Sequence, residues 1–408
     1  MSKKEFYGGV FTGFLVATFI ACCLCCIYIL KTGSSSSGIL VANVSSVSAG
    51  SVINEESLSK LNTIENIVDK YYIDSVSVND LEDGMYRGLM SSLGDPYAAY
   101  YSEAELAKLM ESTEGVFYGI GVYLMYNEEY GYPQVTGIMD DSPASMTNLR
   151  VDDFITNVDG KDILGMELSD AVTLIKGEEG TDVTLTIVRR ATNEVFDITF
   201  TRARVESPTV SYEMFDNGIG YIQIKEFDEV TVEQFTEALA NVKGSRAKAL
   251  ILDLRGNPGG SVPAVVDIAR ELLPAGVIVS TEDKYGMVQE YTCPGEHVVD
   301  IPMVVLVNGG SASASEILSG AIKDYGVGTL MGTTTYGKGI VQRILPLEDG
   351  SAVKLTVSHY YTPLHNDIHK VGIEPDIVVE FDVDAYLEDE NNDNQLDAAK
   401  DYLLEQIQ

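Results

Sequence analysis

Residues 304–342 constrain this chain more than any other stretch. They open with Val304-Val305-Leu306-Val307, a short apolar, β-branched run that marks a buried strand. Asn308-Gly309-Gly310 then turns the chain, because glycine takes backbone conformations closed to other residues. Small residues fill 311–315, and Glu316, Ile317, Leu318, Ala321 and Ile322 follow at helical spacing. The same strand–turn–helix unit recurs earlier: an apolar run at 249–254, a turn at 255–260 and a helical pattern over 262–273. Further strands are expected at 219–224, 329–331, 340–345 and 353–360, with an amphipathic helix over 232–242. Such repetition requires a layered α/β core.

A serine in the 308–315 turn sits where a helix begins, and unpaired backbone N–H groups there can stabilise an anion. Its hydroxyl is a poor nucleophile until a neighbouring base takes the proton. Lys338 can be that base if it is neutral. Its ordinary pKa of about 10.4 falls on burial, and the uncharged neighbours Gly337, Gly339, Ile340 and Val341 suit burial. Gln342, four positions on, can orient an amine without adding charge.

S-A-S-A-S-E followed by Y-G-K-G-I-V-Q resembles the C-terminal processing peptidases, or tail-specific proteases, which are serine–lysine enzymes with a crotonase-like core. The resemblance implies Ser313 as nucleophile, Lys338 as base and Gln342 as the residue that orients it. D-L-R-G-N-P-G-G at 253–260 extends it, and implies that the Gly259 and Ala314 N–H groups form the oxyanion hole. Together the motifs span residues 58 to 380. No metal or organic cofactor is implied.

Simpler readings of the same residues carry less. The span from Gly332 to Lys338 fits the G-x-x-x-x-G-K of a phosphate-binding loop, but Gly339 stands where a Ser or Thr must hold magnesium. The four histidines, His297, His359, His365 and His369, lie in no comparable glycine-framed turn. The acidic run at 389–397 hints at a calcium loop. It has Asn394 instead of the required Gly, and Lys400 in place of the bidentate Glu, so it reads as a solvated cap before a last helix.

Composition narrows the partners. With 27 basic and 62 acidic residues, the net charge is −35, which excludes nucleic-acid binding through a basic footprint. Residues 10–30 carry no charge and are long enough to span a bilayer. Lys3 and Lys4 precede them, favouring a cytoplasmic N-terminus. The expectation is therefore a single-pass cell-membrane protein with its catalytic domain on the extracytoplasmic side. Cys22, Cys23, Cys25 and Cys26 fall inside this stretch and read as small hydrophobes, leaving Cys293 alone outside it.

Between linker and core, helical patterns begin at Leu58, Leu81 and Leu106, with a break at Gly94-Asp95-Pro96-Tyr97. By resemblance to the same peptidases, this region serves in homodimerisation. Next, G-V-F-Y-G-I-G-V-Y-L at 115–124 resembles the opening of a PDZ domain, with Gly119, Ile120, Gly121 and Val122 as the loop that receives a peptide carboxylate. Residues 142–149 and 150–153 depart from the usual PDZ pattern, which leaves local geometry there open.

The expected order is a cytoplasmic tail (1–9), a transmembrane signal anchor (10–30), a flexible linker (31–55), an N-terminal helical region (56–112) and a PDZ domain (113–202). A serine–lysine peptidase core (203–384) and an acidic C-terminal helix (385–408) complete it. The expected fold class is α/β (α+β). The expected activity is a membrane-anchored serine endopeptidase, gated by the PDZ domain, acting on proteins or peptides with exposed apolar C-termini. A catalytically silent PDZ scaffold and a crotonase-like acyl-thioester enzyme are the alternatives.

Overall fold

The computed structural model describes residues 51–297, 299–389 and 391–407. A six-stranded sheet forms the core, in the order Val210–Met214, Ile219–Ile224, Ala249–Asp253, Met303–Val307, Thr329–Gly332 and Ile377–Val378. Its first pair is antiparallel and the others are parallel. Parallel neighbours need long crossovers, and helices Thr231–Gly244, Val262–Arg270 and Ala314–Tyr325 lie in them.

The two middle strands, Ala249–Asp253 and Met303–Val307, are buried at every residue. Alternate side chains reach opposite faces. Leu250, Leu252, Val305 and Val307 pack with Phe235, Leu239, Val265 and Ile317 of the crossover helices. Ile251, Val304 and Leu306 turn the other way, onto Ala399 and Leu403 of the C-terminal helix Asn394–Gln406. Helices on both faces explain why these strands read as unbroken apolar runs. The acidic tail is thus more than a solvated cap. Asp393 accepts the Leu396 N–H at 2.9 Å to start the last helix, and receives Arg255 Nη1 and Nη2 at 2.9 and 2.8 Å. Arg255 also holds the buried Asp253 at 2.7 Å, so one guanidinium joins the 255–260 turn to the tail.

A second sheet runs Ala99–Tyr101, Ala352–Tyr361, Gly276–Asp283 and Val288–Cys293, with Ile340–Pro346 paired to Ala352–Tyr361. The hairpin Gly276–Asp283/Val288–Cys293 was not among the expected strands. A third sheet lies within the region expected at 113–202: Val122–Asn127, Tyr132–Ile138, Phe154–Val158, Asp182–Arg189 and Glu194–Thr201, with Lys161–Asp162 beside Phe154–Val158. It closes on its own core of Val135, Ile155, Leu185, Ile187 and Phe200, with helix Leu168–Ile175 against it. The departures at 142–153 are accommodated. Asp152 adopts the positive φ of 72° in that turn, and buried Asp153 pairs with Arg189 at 2.7 Å.

Three helices precede the module, Glu55–Tyr71, Val78–Ser91 and Glu103–Glu114, as the periodicity predicts. The expectation of a single-pass membrane protein is corrected. Among the described residues no helix is long and apolar enough to cross a membrane, and residues 10–30, which carried that expectation, lie outside the described residues.

The C-terminal helix should stabilise the sheet it covers. Leu403→Ala leaves a cavity at a fully buried position, and should lower unfolding stability by about 2–5 kcal/mol in a denaturant titration.

Candidate active site

Two turns meet beyond the carboxyl ends of the middle strands, where open parallel sheets place their ligand crevices. One follows Ala249–Asp253 and the other follows Met303–Val307. Side chains and backbone stitch them together. Asn308 Oδ1 accepts the Gly256 N–H at 2.9 Å, and the Asn257 carbonyl accepts the Ala312 N–H at 3.0 Å.

This stitching separates the three serines of the 311–315 run. Ser311 is fully buried and donates to the Leu254 carbonyl at 2.7 Å. Ser315, also fully buried, donates to the Asn257 carbonyl at 3.0 Å. Ser313 is only partly buried and lines a cavity of about 420 Å³. Among the described residues its Oγ donates no hydrogen bond, and it meets only the Glu316 N–H in a capping box. Its backbone has φ 53° and ψ −111° immediately before helix Ala314–Tyr325. That conformation is strained for a residue with a Cβ.

Ala314 opens the helix, so its N–H has no acceptor within it. Gly259 lies directly against this point. A Cβ there would come within 2.8–2.9 Å of Ala312 O, Ser313 Cβ and Ala314 N, and its φ is 106°. Only glycine fits. The Gly259 N–H, however, donates to Asn257 Oδ1 at 2.8 Å, so it is engaged in this structure.

Glu316 ties the site together. It is fully buried. One oxygen accepts the Ser313 N–H at 2.9 Å and the Lys338 N–H at 2.8 Å. The other accepts Thr335 Oγ1 at 2.6 Å and the Gly337 N–H at 2.7 Å. A buried carboxylate is tolerable when its lone pairs are all satisfied by hydrogen bonds. Tyr360, buried beside it, donates to the Ser313 carbonyl at 3.0 Å. Burial, then the Glu316 charge, push that phenol up, so it stays a donor.

Lys338 reaches the site backbone-first. Its N–H is on Glu316, while its ammonium lies 4.5 Å over the Tyr97 ring. Among the described residues no hydrogen bond joins Lys338 Nζ to Ser313 Oγ. Burial, then the charge of Lys354, hold the Lys338 amine below the usual lysine range, and Glu316 opposes them. Gln342 lines the cavity, and its Nε2 meets Thr356 Oγ1 at 3.5 Å rather than Lys338.

The carboxylate loop expected in the peptide-binding module is built from the end of strand Val116–Gly119 to the start of Val122–Asn127. Between them, the Ile120 carbonyl accepts the Ala144 N–H at 2.8 Å, and Gly121 has φ 75°. A Cβ on Gly121 would meet Ser142 Cβ at 2.2 Å, so the 142–146 turn clamps the loop.

Glu316 and Tyr97 went unassigned in the sequence reading. Glu316 had a legible signal, since Ser-x-x-Glu before an apolar run is a capping box. Tyr97 had none, because its approach to Lys338 depends on how distant segments pack.

Comparison with known proteins follows the same outline. The family "Peptidase family S41" matches residues 218–379, "PDZ domain" matches 134–189, and "Activating protease CtpB N-terminal domain" matches 24–105. A carboxyl-terminal-processing protease of Synechocystis sp. is 36% identical over 74% of this chain and 71% of the relative. The carboxy-terminal processing protease CtpA of Bacillus subtilis is 35% identical over 86% of this chain and 73% of the relative. Among solved structures, a photosystem II D1 C-terminal processing protease is 30% identical. It covers 80% of this chain and 94% of its own, with a TM-score of 0.46.

Glu316→Gln sets an amide nitrogen against N–H groups it cannot accept from. The variant should lose about 1–3 kcal/mol of stability in denaturant unfolding. Its peptide cleavage should fall by about tenfold or more, the equivalent of about 1.4 kcal/mol in the barrier.

Proposed function

The chain belongs to the carboxyl-terminal processing proteases, serine-type peptidases that carry a PDZ domain, and we propose that it cuts proteins near their C-terminal tails with Ser313 as nucleophile and Lys338 as base. The observation that carries this reading is the state of Ser313. Among the described residues, it alone of three neighbouring serines does not donate its hydroxyl to a backbone carbonyl, and it sits at a strained helix start on the same carboxylate that holds Lys338.

In this mechanism neutral Lys338 takes the Ser313 proton and Oγ attacks the scissile carbonyl carbon. The Ala314 and Gly259 N–H groups stabilise the oxyanion, the latter once Asn257 Oδ1 releases it. As the peptide C–N bond breaks, the amine leaves with the proton carried by Lys338. Water then hydrolyses the acyl-enzyme, with Lys338 accepting its proton.

The arrangement is a resting one. Stacking on Tyr97 favours the charged ammonium, which is the wrong state for a base. Burial and Lys354 act the other way. Turnover therefore requires Lys338 to leave the Tyr97 ring and reach Ser313, with Gln342 accepting one of its hydrogens. We read the core as crotonase-like. The PDZ domain captures an apolar tail through the loop Gly119, Ile120, Gly121 and Val122, and so gates the cut. A self-association role for the N-terminal region rests on the exposed Leu58, Leu61, Ile64 and Ile67 of helix Glu55–Tyr71. Family membership leaves the silent-scaffold and acyl-thioester alternatives without support.

Ser313→Ala and Lys338→Ala should each remove cleavage of an unfolded protein with an apolar tail, read by gel or mass spectrometry. Activity retained in Lys338→Ala would rule lysine out as the base. The pH profile supplies a second check. A base works deprotonated, so kcat/KM should rise with pH through one ionisation. That ionisation should lie below the ordinary lysine value of about 10.4, because burial and Lys354 lower it.

A further inference from the structure

The cavity beside Ser313 has a charge that the chemistry above does not use. Its walls include Leu109, Val262, Ile317, Ile340 and Ile344, which are apolar. Asp228 also lines it, only 5% exposed, as does Glu226, exposed on the same loop. Among the described residues, neither carboxylate takes part in an ion pair or a side-chain hydrogen bond. The loop is fixed close to the reacting centre. Phe227 N donates to Gly259 O at 2.9 Å, and Ser261 N donates to Phe227 O at 2.6 Å.

Asp228 also stands against the end of helix Glu103–Glu114. A Cβ on its C-cap Gly115 would meet Asp228 Oδ2 at 3.1 Å. The last carbonyls of a helix carry partial negative charge, so they add to the field of the carboxylate rather than neutralise it. Among the described residues the one basic side chain on the cavity wall is Lys354, and its ammonium lies 5.3 Å from the Tyr101 ring centroid. Burial, then the Glu226 charge, push the Asp228 carboxyl up to about 7. A buried, uncompensated acid of this kind gains most from a cationic partner.

A cavity lined by apolar side chains and by a carboxylate with no ion-pair partner among the described residues matches a long aliphatic stem with a cationic head. We propose that this cavity is a specificity subsite for a lysine or arginine side chain of the substrate close to the scissile bond, selected by Asp228 with Glu226 at its rim. The proposal rests on the peptidase reading of Ser313 and goes beyond it by naming the substrate side chain. No covalent step is added.

The test is cleavage-site profiling with the full chain. A mixture of unfolded proteins is digested by the parent, Ser313→Ala, Asp228→Asn and Glu226→Gln forms, and the residues flanking each cut are read by mass spectrometry. Lysine and arginine should be enriched at one fixed position from the cut in the parent. A matched peptide pair, lysine against norleucine at that position, should then differ in kcat/KM by about 10–100-fold. Asp228→Asn should bring this ratio close to one, and Glu226→Gln should lower it by less. The ratio is measured within each variant, so loss of folded protein does not imitate the effect. Ser313-dependent cuts with no basic enrichment overturn the subsite and leave the peptidase reading standing. A basic preference that survives both substitutions overturns it as well. Cuts that persist in Ser313→Ala, or no cuts in the parent, overturn the peptidase reading and the subsite with it.

Discussion

A single buried carboxylate holds this site in register. Glu316 accepts four hydrogen bonds, from the Ser313, Gly337 and Lys338 N–H groups and the Thr335 hydroxyl. Ser313 belongs to the turn before one helix, and Lys338 to the loop after the next strand. Nothing covalent brings them together across the intervening residues. A fully buried charge would be prohibitive alone. Here two of the four donors that offset its desolvation are the backbone N–H groups of Ser313 and Lys338, the proposed nucleophile and base. Loosening either of these two would both cost the charge a donor and free one of the two residues, which couples local stability to the geometry of the site.

The sheet makes this possible. Because both faces of the middle strands are covered, their carboxyl ends are the points where the chain emerges, and the two turns beyond them are forced into contact. The short links between them, Asn308 to Gly256 and Ser315 to Asn257, leave little freedom. Strain concentrates at Ser313, and Gly259 gives way to it for lack of a side chain. Arg255 carries the constraint outward to the last helix through Asp393. The periphery and the turn are therefore one unit.

Several elements were legible in the sequence because local pattern and burial agree. The strand expected at 219–224 is Ile219–Ile224, and the helix expected over 232–242 lies within Thr231–Gly244. The helix expected over 262–273 stops at Arg270, since Leu272 and Leu273 are buried by packing rather than by helical phase. The hairpin Gly276–Asp283/Val288–Cys293 had a weak signal, because Val288–Cys293 exposes most of its side chains. Asp152 shows the opposite case, an unusual residue that keeps the expected turn because aspartate tolerates positive φ. Residues 10–30 show how far a pattern reaches. Their lack of charge was plain, but no spanning helix stands among the described residues to bear out the anchor.

The sequence by itself determined the layered α/β core, the separate peptide-binding module and which residues could carry chemistry. The core follows from spacing, glycine at fixed turns and apolar periodicity, while the module and the candidate site residues follow from motifs that resemble a known family, and both kinds of signal are local in the chain. Only the tertiary structure decided the rest. It distinguished Ser313 from Ser311 and Ser315 by what their hydroxyls touch. It laid the Lys338 ammonium on Tyr97, gave the Gly259 N–H to Asn257, and left Asp228 without a partner beside Ser313. Hydrogen-bond partners and buried charge are set by residues far apart in the chain, and no local pattern encodes which of them will meet.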